Sequence, residues 1–327
     1  MPSLIPRLLG LSVTVLALAG CGGSANDDAS AASLETPPGV DAPRCRADGA
    51  CRLIGFSGPA SAQNPCFSPD GRQLVFTRWQ RGYNRAPAGL WTVGSTGGTP
   101  RAIIDDGADN VNLPGSCWSR AGRIAYSSDS VGESDEIWTA AADGSQRRRI
   151  TTHRGPPYIE PSFSPDGTQL VFEASASETS AELWKVNADG GGLTRLSHGG
   201  ADREPNWSPS GELIVFQRLE RGDEWALYTM RPDGSDVRRV TPPGWSCTDA
   251  SFSPDGQRLV FSATPTEGDG AQIAVVPASG GTLRPVTRSG GYNGAPSWSP
   301  DGLRIAFEAS DDPDATRPTA LWIINAP

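Results

Sequence analysis

The chain is 327 residues long and carries 37 Asp and Glu against 28 Lys and Arg, a formal net charge of −9. So acidic a body argues against nucleic acid and anionic membrane surfaces as partners, because its summed field repels polyanions. Met1 to Gly20 carry one basic residue, Arg7, and then the apolar run Leu8 to Ala19. The run is too short to span a bilayer, and with small residues at its end it reads as a signal peptide over residues 1–20.

Leu18-Ala19-Gly20-Cys21 resembles the bacterial lipobox. That resemblance implies that Cys21 is lipidated and becomes the mature N-terminus. Several acyl chains on one cysteine anchor stably, whereas a single chain is marginal. Gly22 to Pro43 are rich in Gly, Ser, Ala, Asp and Pro, so 21–43 is expected to be a lipidated flexible tether. At about 5–6 Å times the square root of the residue number, such a tether holds the remainder of the chain about 25 Å from the lipid.

From Phe67 to Phe307 one pattern recurs six times. An aromatic and a serine (Phe67-Ser68, Trp118-Ser119, Phe163-Ser164, Trp207-Ser208, Phe252-Ser253, Trp298-Ser299) precede Pro-Asp-Gly or a near variant. The copies centre on Gly71, Gly122, Gly167, Gly211, Gly256 and Gly302, at spacings of 51, 45, 44, 45 and 46 residues, the length of one four-stranded, WD-like propeller blade. Proline presets φ in the turn and glycine takes the positive φ that closes it. Runs such as Leu74-Val75-Phe76 and Leu170-Val171-Phe172 then read as buried strands. A third strand is marked by Leu90-Trp91, Ile137-Trp138, Leu183-Trp184, Leu227-Tyr228, Ile273-Ala274 and Leu321-Trp322, whose register predicts packing roles for the tryptophans. A glycine turn and a fourth strand come next, as in Asp143-Gly144 before Ile150-Thr151.

The sixth copy reaches Pro327 before its fourth strand, while Asp48-Gly49 before Leu53-Ile54 is a shortened copy of that turn and strand. Residues near 50–55 are therefore expected to complete the sixth blade within a 44–327 ring, closing a seam that would otherwise expose strand edges. Beyond Cys21 there are five cysteines. Cys45 and Cys51 bracket the Asp48-Gly49 turn, and their spacing leaves a disulfide and two free thiols equally open. Cys66 and Cys117 occupy one repeat position and read as two buried thiols, since a bond needs Cα atoms within about 7 Å. Cys247 has no evident partner.

The Phe/Trp-Ser-Pro-Asp-Gly repeat with its following Leu-Val-Phe resembles the propeller repeat of the TolB family over about residues 48–327. The resemblance implies an all-β, six-bladed propeller of four-stranded antiparallel blades. TolB-like propellers bind a peptidoglycan-associated lipoprotein through this part of the fold, which implies an envelope protein or peptide as partner. With the lipid anchor, it places the chain in the cell envelope, on its periplasmic or extracellular face, and a monomer is expected. Two copies depart from the pattern, with Arg120-Ala121 for Pro-Asp and Ser210 for Asp, and the α/β domain that precedes the TolB propeller has no counterpart.

Catalytic motifs are missing: there is no Gly-x-Ser-x-Gly elbow, no His-Glu-x-x-His and no phosphate loop, so no cofactor is expected. His153 and His198 fall in loops at the channel mouth and read as solvated, because no third ligand shares their spacing. The acidic stretch Asp129 to Glu136 lacks the glycine of a calcium loop and reads as a solvated turn. One repeat position in the connecting loops holds Asn64, Leu113 in the less regular second blade, Glu160, Glu204, Asp249 and Ala295. Either the three carboxylates each cap their own loop, or they pool at the mouth and attract a cation such as calcium or a basic peptide. Tyr158, Arg203, Trp245 and Tyr292 on the same loops complete the candidate ligand-binding set. A metal-dependent carbohydrate lyase using mouth residues is the alternative, since related propellers occur in oligosaccharide lyases.

Overall fold

Each blade is one four-stranded antiparallel sheet because the repeat's turn reverses the chain within a few residues. In the first blade the strands are Ser61–Phe67, Gln73–Trp79, Ala88–Gly94 and Arg101–Ile104, from the axis outwards. The computed structural model describes residues 44–113, 117–132, 134–220, 224–265, 270–288, 291–312 and 317–327. Six such sheets make the all-β propeller that the repeat count predicts. The signal peptide, Cys21 and the tether lie outside the described residues.

The turn that drives the repeat is fixed by local chemistry. Ser68 Oγ donates to Asp70 Oδ1 at 2.6 Å, and the Gly71 N–H donates to the Ser68 carbonyl at 2.8 Å with Gly71 at φ 69°. The corresponding glycines all lie at φ between 72° and 78°, where a side chain would be strained. The serine hydroxyl first, then a backbone N–H, hold the Asp70, Asp166, Asp255 and Asp301 carboxyls below the usual carboxylate range. The two departing copies keep the turn, with Gly122 N to Ser119 O at 3.0 Å and Gly211 N to Ser208 O at 2.9 Å.

The core lies between blades. Phe76, Tyr126, Phe172, Phe216, Phe261 and Phe307 on the second strands are at most 2% exposed. Across their sheets they face Trp91, Trp138, Trp184, Tyr228, Ala274 and Trp322. The register thus holds the repeat tryptophans in packing roles, Trp138 and Trp184 half-buried at the edge of their clusters.

Closure takes the expected form. Cys51–Ile54 runs antiparallel to Ala320–Asn325, pairing Cys51 with Ile323, Arg52 with Trp322 and Ile54 with Leu321, as the outer strand of the sixth blade. Ile54, 1% exposed, joins Phe76 and Trp91 of the first blade to Leu321 of the sixth, so one residue bridges both sides of the seam. The Arg46 guanidinium lies 3.9 Å over the Trp322 ring. Cys45 and Cys51 are disulfide-bonded six residues apart, which settles the open alternative, while Cys66, Cys117 and Cys247 are buried free thiols. A loop that short restricts the unfolded chain only modestly, so reduction should cost about 2 kcal/mol of stability, read as a lower denaturant midpoint. Superposable curves with and without reductant would show that the bond adds nothing.

Candidate functional site at the channel mouth

The innermost strands do not run evenly. Their pairing slips between Gln63 and Cys66, Ile159 and Ser162, Arg203 and Asn206, Thr248 and Ser251, and Gly294 and Ser297. A residue in the left-handed region sits in each slip: Asn64 (φ 52°), Glu160 (54°), Glu204 (50°), Asp249 (56°) and Ala295 (46°). These are the residues singled out by repeat alignment. A bulge that places an L residue at positive φ costs of order 1–3 kcal/mol, and it re-aims a side chain out of the alternating pleat. Counting from Trp118 puts the second blade's equivalent at Gly115, outside the described residues; Leu113 is instead fully buried in the core.

The re-aimed side chains link blade to blade around the axis. Asn64 Nδ2 donates to Asn112 Oδ1 at 3.0 Å, and Asn112 Nδ2 donates to Glu160 Oε1 at 3.4 Å. Glu204 Oε2 accepts the Asp249 N–H of the next blade at 2.9 Å. Asp249 Oδ2 accepts from Thr248 Oγ1 at 2.6 Å and from Ser262 Oγ at 3.0 Å. The Glu204 carboxylate therefore caps its neighbour's bulge rather than its own loop, a geometry that neither sequence-based alternative contained.

A second ring supports the first. The residue directly after each second-strand aromatic is polar and buried: Thr77, Ser127, Glu173, Gln217, Ser262 and Glu308. Leu113 N donates to Thr77 Oγ1 at 3.0 Å, Glu204 N to Glu173 Oε2 at 3.0 Å and Asp249 N to Gln217 Oε1 at 3.1 Å. Ala295 N donates to Ser262 Oγ at 3.1 Å and Asn64 N to Glu308 Oε2 at 3.0 Å. Amides released from the ladder by the bulges thus find acceptors in the preceding blade. Sequence reading passed over this ring, although a polar residue closing an apolar run in all six copies was there to be seen.

Glu173 and Glu308 add buried carboxylates to Glu160, Glu204 and Asp249. The guanidinium of Arg203 answers part of that charge, with Nη1 3.7 Å from Glu173 Oε1, and it lies 5.6 Å over the Trp225 ring. Tyr292 Oη donates to Glu308 Oε1 at 2.9 Å and meets Tyr83 Oη at 3.0 Å. Trp245 is half-buried at the start of its innermost strand, opposite Pro265. Tyr158 is a correction: it is 5% exposed, stacked on His153 at 3.5 Å and packed against Phe172, so its ring does not face the mouth.

The TolB beta propeller domain family model matches residues 52–235, more than half of the 327-residue chain. The chain belongs to this family. A TolB homolog of Chlorobium luteolum is 34% identical over 109 residues, which are 33% of this chain and 22% of that protein, so the match spans about a fifth of the relative's length. TolB from Acinetobacter baumannii superposes with a TM-score of 0.59 at 19% identity, over 84% of this chain and 65% of that one. An oligogalacturonate lyase from Vibrio parahaemolyticus superposes with a TM-score of 0.55 at 14% identity, over 88% and 96%. At these identities the two structures share the fold alone with this TolB-family propeller.

Within the family frame the histidines divide. His198 is exposed. His153 is held by its surroundings: Nδ1 lies 3.2 Å from Glu136 Oε1, and Nε2 2.7 Å from the Pro156 carbonyl. Burial raises the Glu136 carboxyl, but hydrogen bonds from Thr151, the His153 N–H and Arg149 outweigh it and leave the pKa below the usual range. Among the described residues no three of His, Cys, Asp and Glu lie close enough together to hold a metal ion.

Proposed function

We propose that this chain is a non-enzymatic, lipid-anchored envelope protein whose channel mouth binds a basic segment of an envelope protein or peptide. The observation that carries this reading is the axial set of Glu160, Glu204 and Asp249 on left-handed bulges, backed by buried Glu173 and Glu308. Strained side chains held on a rigid ring are typical of recognition sites, and pooled carboxylates in a narrow mouth favour a cationic group. A single Lys or Arg, or a calcium ion bridging to the partner, would meet that field. Half-buried Trp245 and Tyr292 and the Arg203 guanidinium supply the amphipathic contacts usual at binding hot spots.

Crosslinking the protein in its native envelope identifies the partner, and its affinity for variants then tests the site. Changing Glu160, Glu204 and Asp249 together to Lys should weaken binding at least tenfold and reverse its salt dependence. Unchanged affinity with an intact fold removes the mouth from the interaction. The shared fold of the oligogalacturonate lyase supports a second reading, carbohydrate lyase chemistry at the mouth. Bound transition metal in the purified protein, with turnover of a sugar acid lost in His153→Ala or His198→Ala, would replace the binding reading by that one.

A further inference from the structure

Cys66 and Cys117 touch across the seam between the first two blades. The Cys117 N–H donates to Cys66 Sγ at 3.0 Å, and Trp118 Nε1 donates to the Cys66 carbonyl at 3.4 Å. A sulfur that near the Cys117 nitrogen keeps the two Cα atoms within about 7 Å, inside the reach of a disulfide. The same repeat position reaches across other seams as well, Asn206 Nδ2 donating to the Ala250 carbonyl at 2.9 Å and Ser251 Oγ to the Pro296 carbonyl at 3.2 Å. At the first seam alone both blades carry cysteine there.

We propose that Cys66 and Cys117 are a disulfide-forming pair that staples the first blade to the second, closed by exchange with a small-molecule disulfide while the ring is still assembling. The Cys66 thiolate attacks one sulfur of the reagent, whose S–S bond breaks and releases one thiolate. The deprotonated Cys117 then attacks the Cys66 sulfur of the mixed disulfide and expels the second. Two protein thiols lose two electrons and two protons, and the reagent gains them as two thiols. In the finished ring both side chains are buried, at 3% and 0% exposure, and burial pushes the Cys117 thiol well above its usual pKa. With the Cys117 thiol held protonated and neither side chain accessible, the folded pair is slow to oxidise, so the step belongs to folding.

The test uses the full chain with Cys21→Ser, reduced, unfolded, and refolded with oxidised glutathione. Alkylation with N-ethylmaleimide in denaturant, digestion and mass spectrometry then report each thiol. The expected result is a Cys66–Cys117 linked peptide pair with Cys247 alkylated. Closure of Cys45–Cys51 in the same sample shows that the oxidant acted. Cys66 and Cys117 both alkylated in that sample, or either linked to Cys247, overturns the proposal. In Cys66→Ser, Cys117 should be alkylated while Cys45–Cys51 still closes; a Cys117 bond to another cysteine there counts against a dedicated pair.

Discussion

A chain beginning at Ser57 should melt roughly 10 °C or more below one beginning at Ala42, because losing the closing strand removes about 4–6 kcal/mol of apolar burial. Ile54 is 1% exposed, and Leu53 and Phe56 pack against the same cluster of Phe76, Trp91 and Leu321. The Arg46 contact with Trp322 is lost as well. The outer edge of Ala320–Asn325 is then left exposed, a strand whose backbone groups would seek another partner. The shorter chain should therefore also self-associate, seen as a larger species by light scattering. Domains of this kind have total stabilities of about 5–15 kcal/mol, so the loss is a large fraction of the whole. Equal melting temperatures for the two chains would mean that the ring holds without its closing strand.

That strand was legible in the sequence because closure is a matter of counting: a blade short of its last strand, and an unassigned Asp48-Gly49 turn at the other end. The bulge residues were legible for the same reason, since a ring repeats its special positions. Counting could not supply direction. Glu173 and Glu308 end apolar runs and are easily absorbed into them, yet their burial is tied to amides that the neighbouring bulges release. Tyr158 has the loop position of a mouth residue, but loop position does not decide exposure when His153 stacks on its ring and Phe172 packs against it. Leu113 shows the limit of register in an irregular blade, where two residues of slip exchange a mouth position for a core one.

Replacing Asp135 by Asn should stabilise the fold at pH 7.5 by about 2 kcal/mol and leave it unchanged near pH 4. Asp135 belongs to the acidic stretch that read as a solvated turn, yet burial first, with Asp129 and Glu136 nearby, pushes its carboxyl up to about 7. Its Oδ1 accepts from Asn110 Nδ2 at 2.7 Å, a bond that an amide oxygen at 135 would keep. An acid whose pKa rises on folding binds its proton more tightly in the folded state. Its stabilising effect is present at low pH and is lost as the pH climbs from about 4 through 7. Three units correspond to about 4 kcal/mol, and solvent reaching the half-buried group reduces that to the smaller figure. Asp129 is raised too, by burial first and then by Asp109 and Asp106, and adds a slope of the same sign. Glu136 is depressed and acts oppositely, but only below its ordinary range, so the two effects separate along the pH axis. Denaturant midpoints of both proteins from pH 4 to 8 decide the matter: the curves should diverge as pH rises, and parallel curves would show that Asp135 titrates as an exposed carboxyl. Asn110, which donates to Asp135, leads into the second blade's innermost strand, where Asn112 meets Asn64 and Glu160, so this titrating group sits one short step in sequence from the mouth.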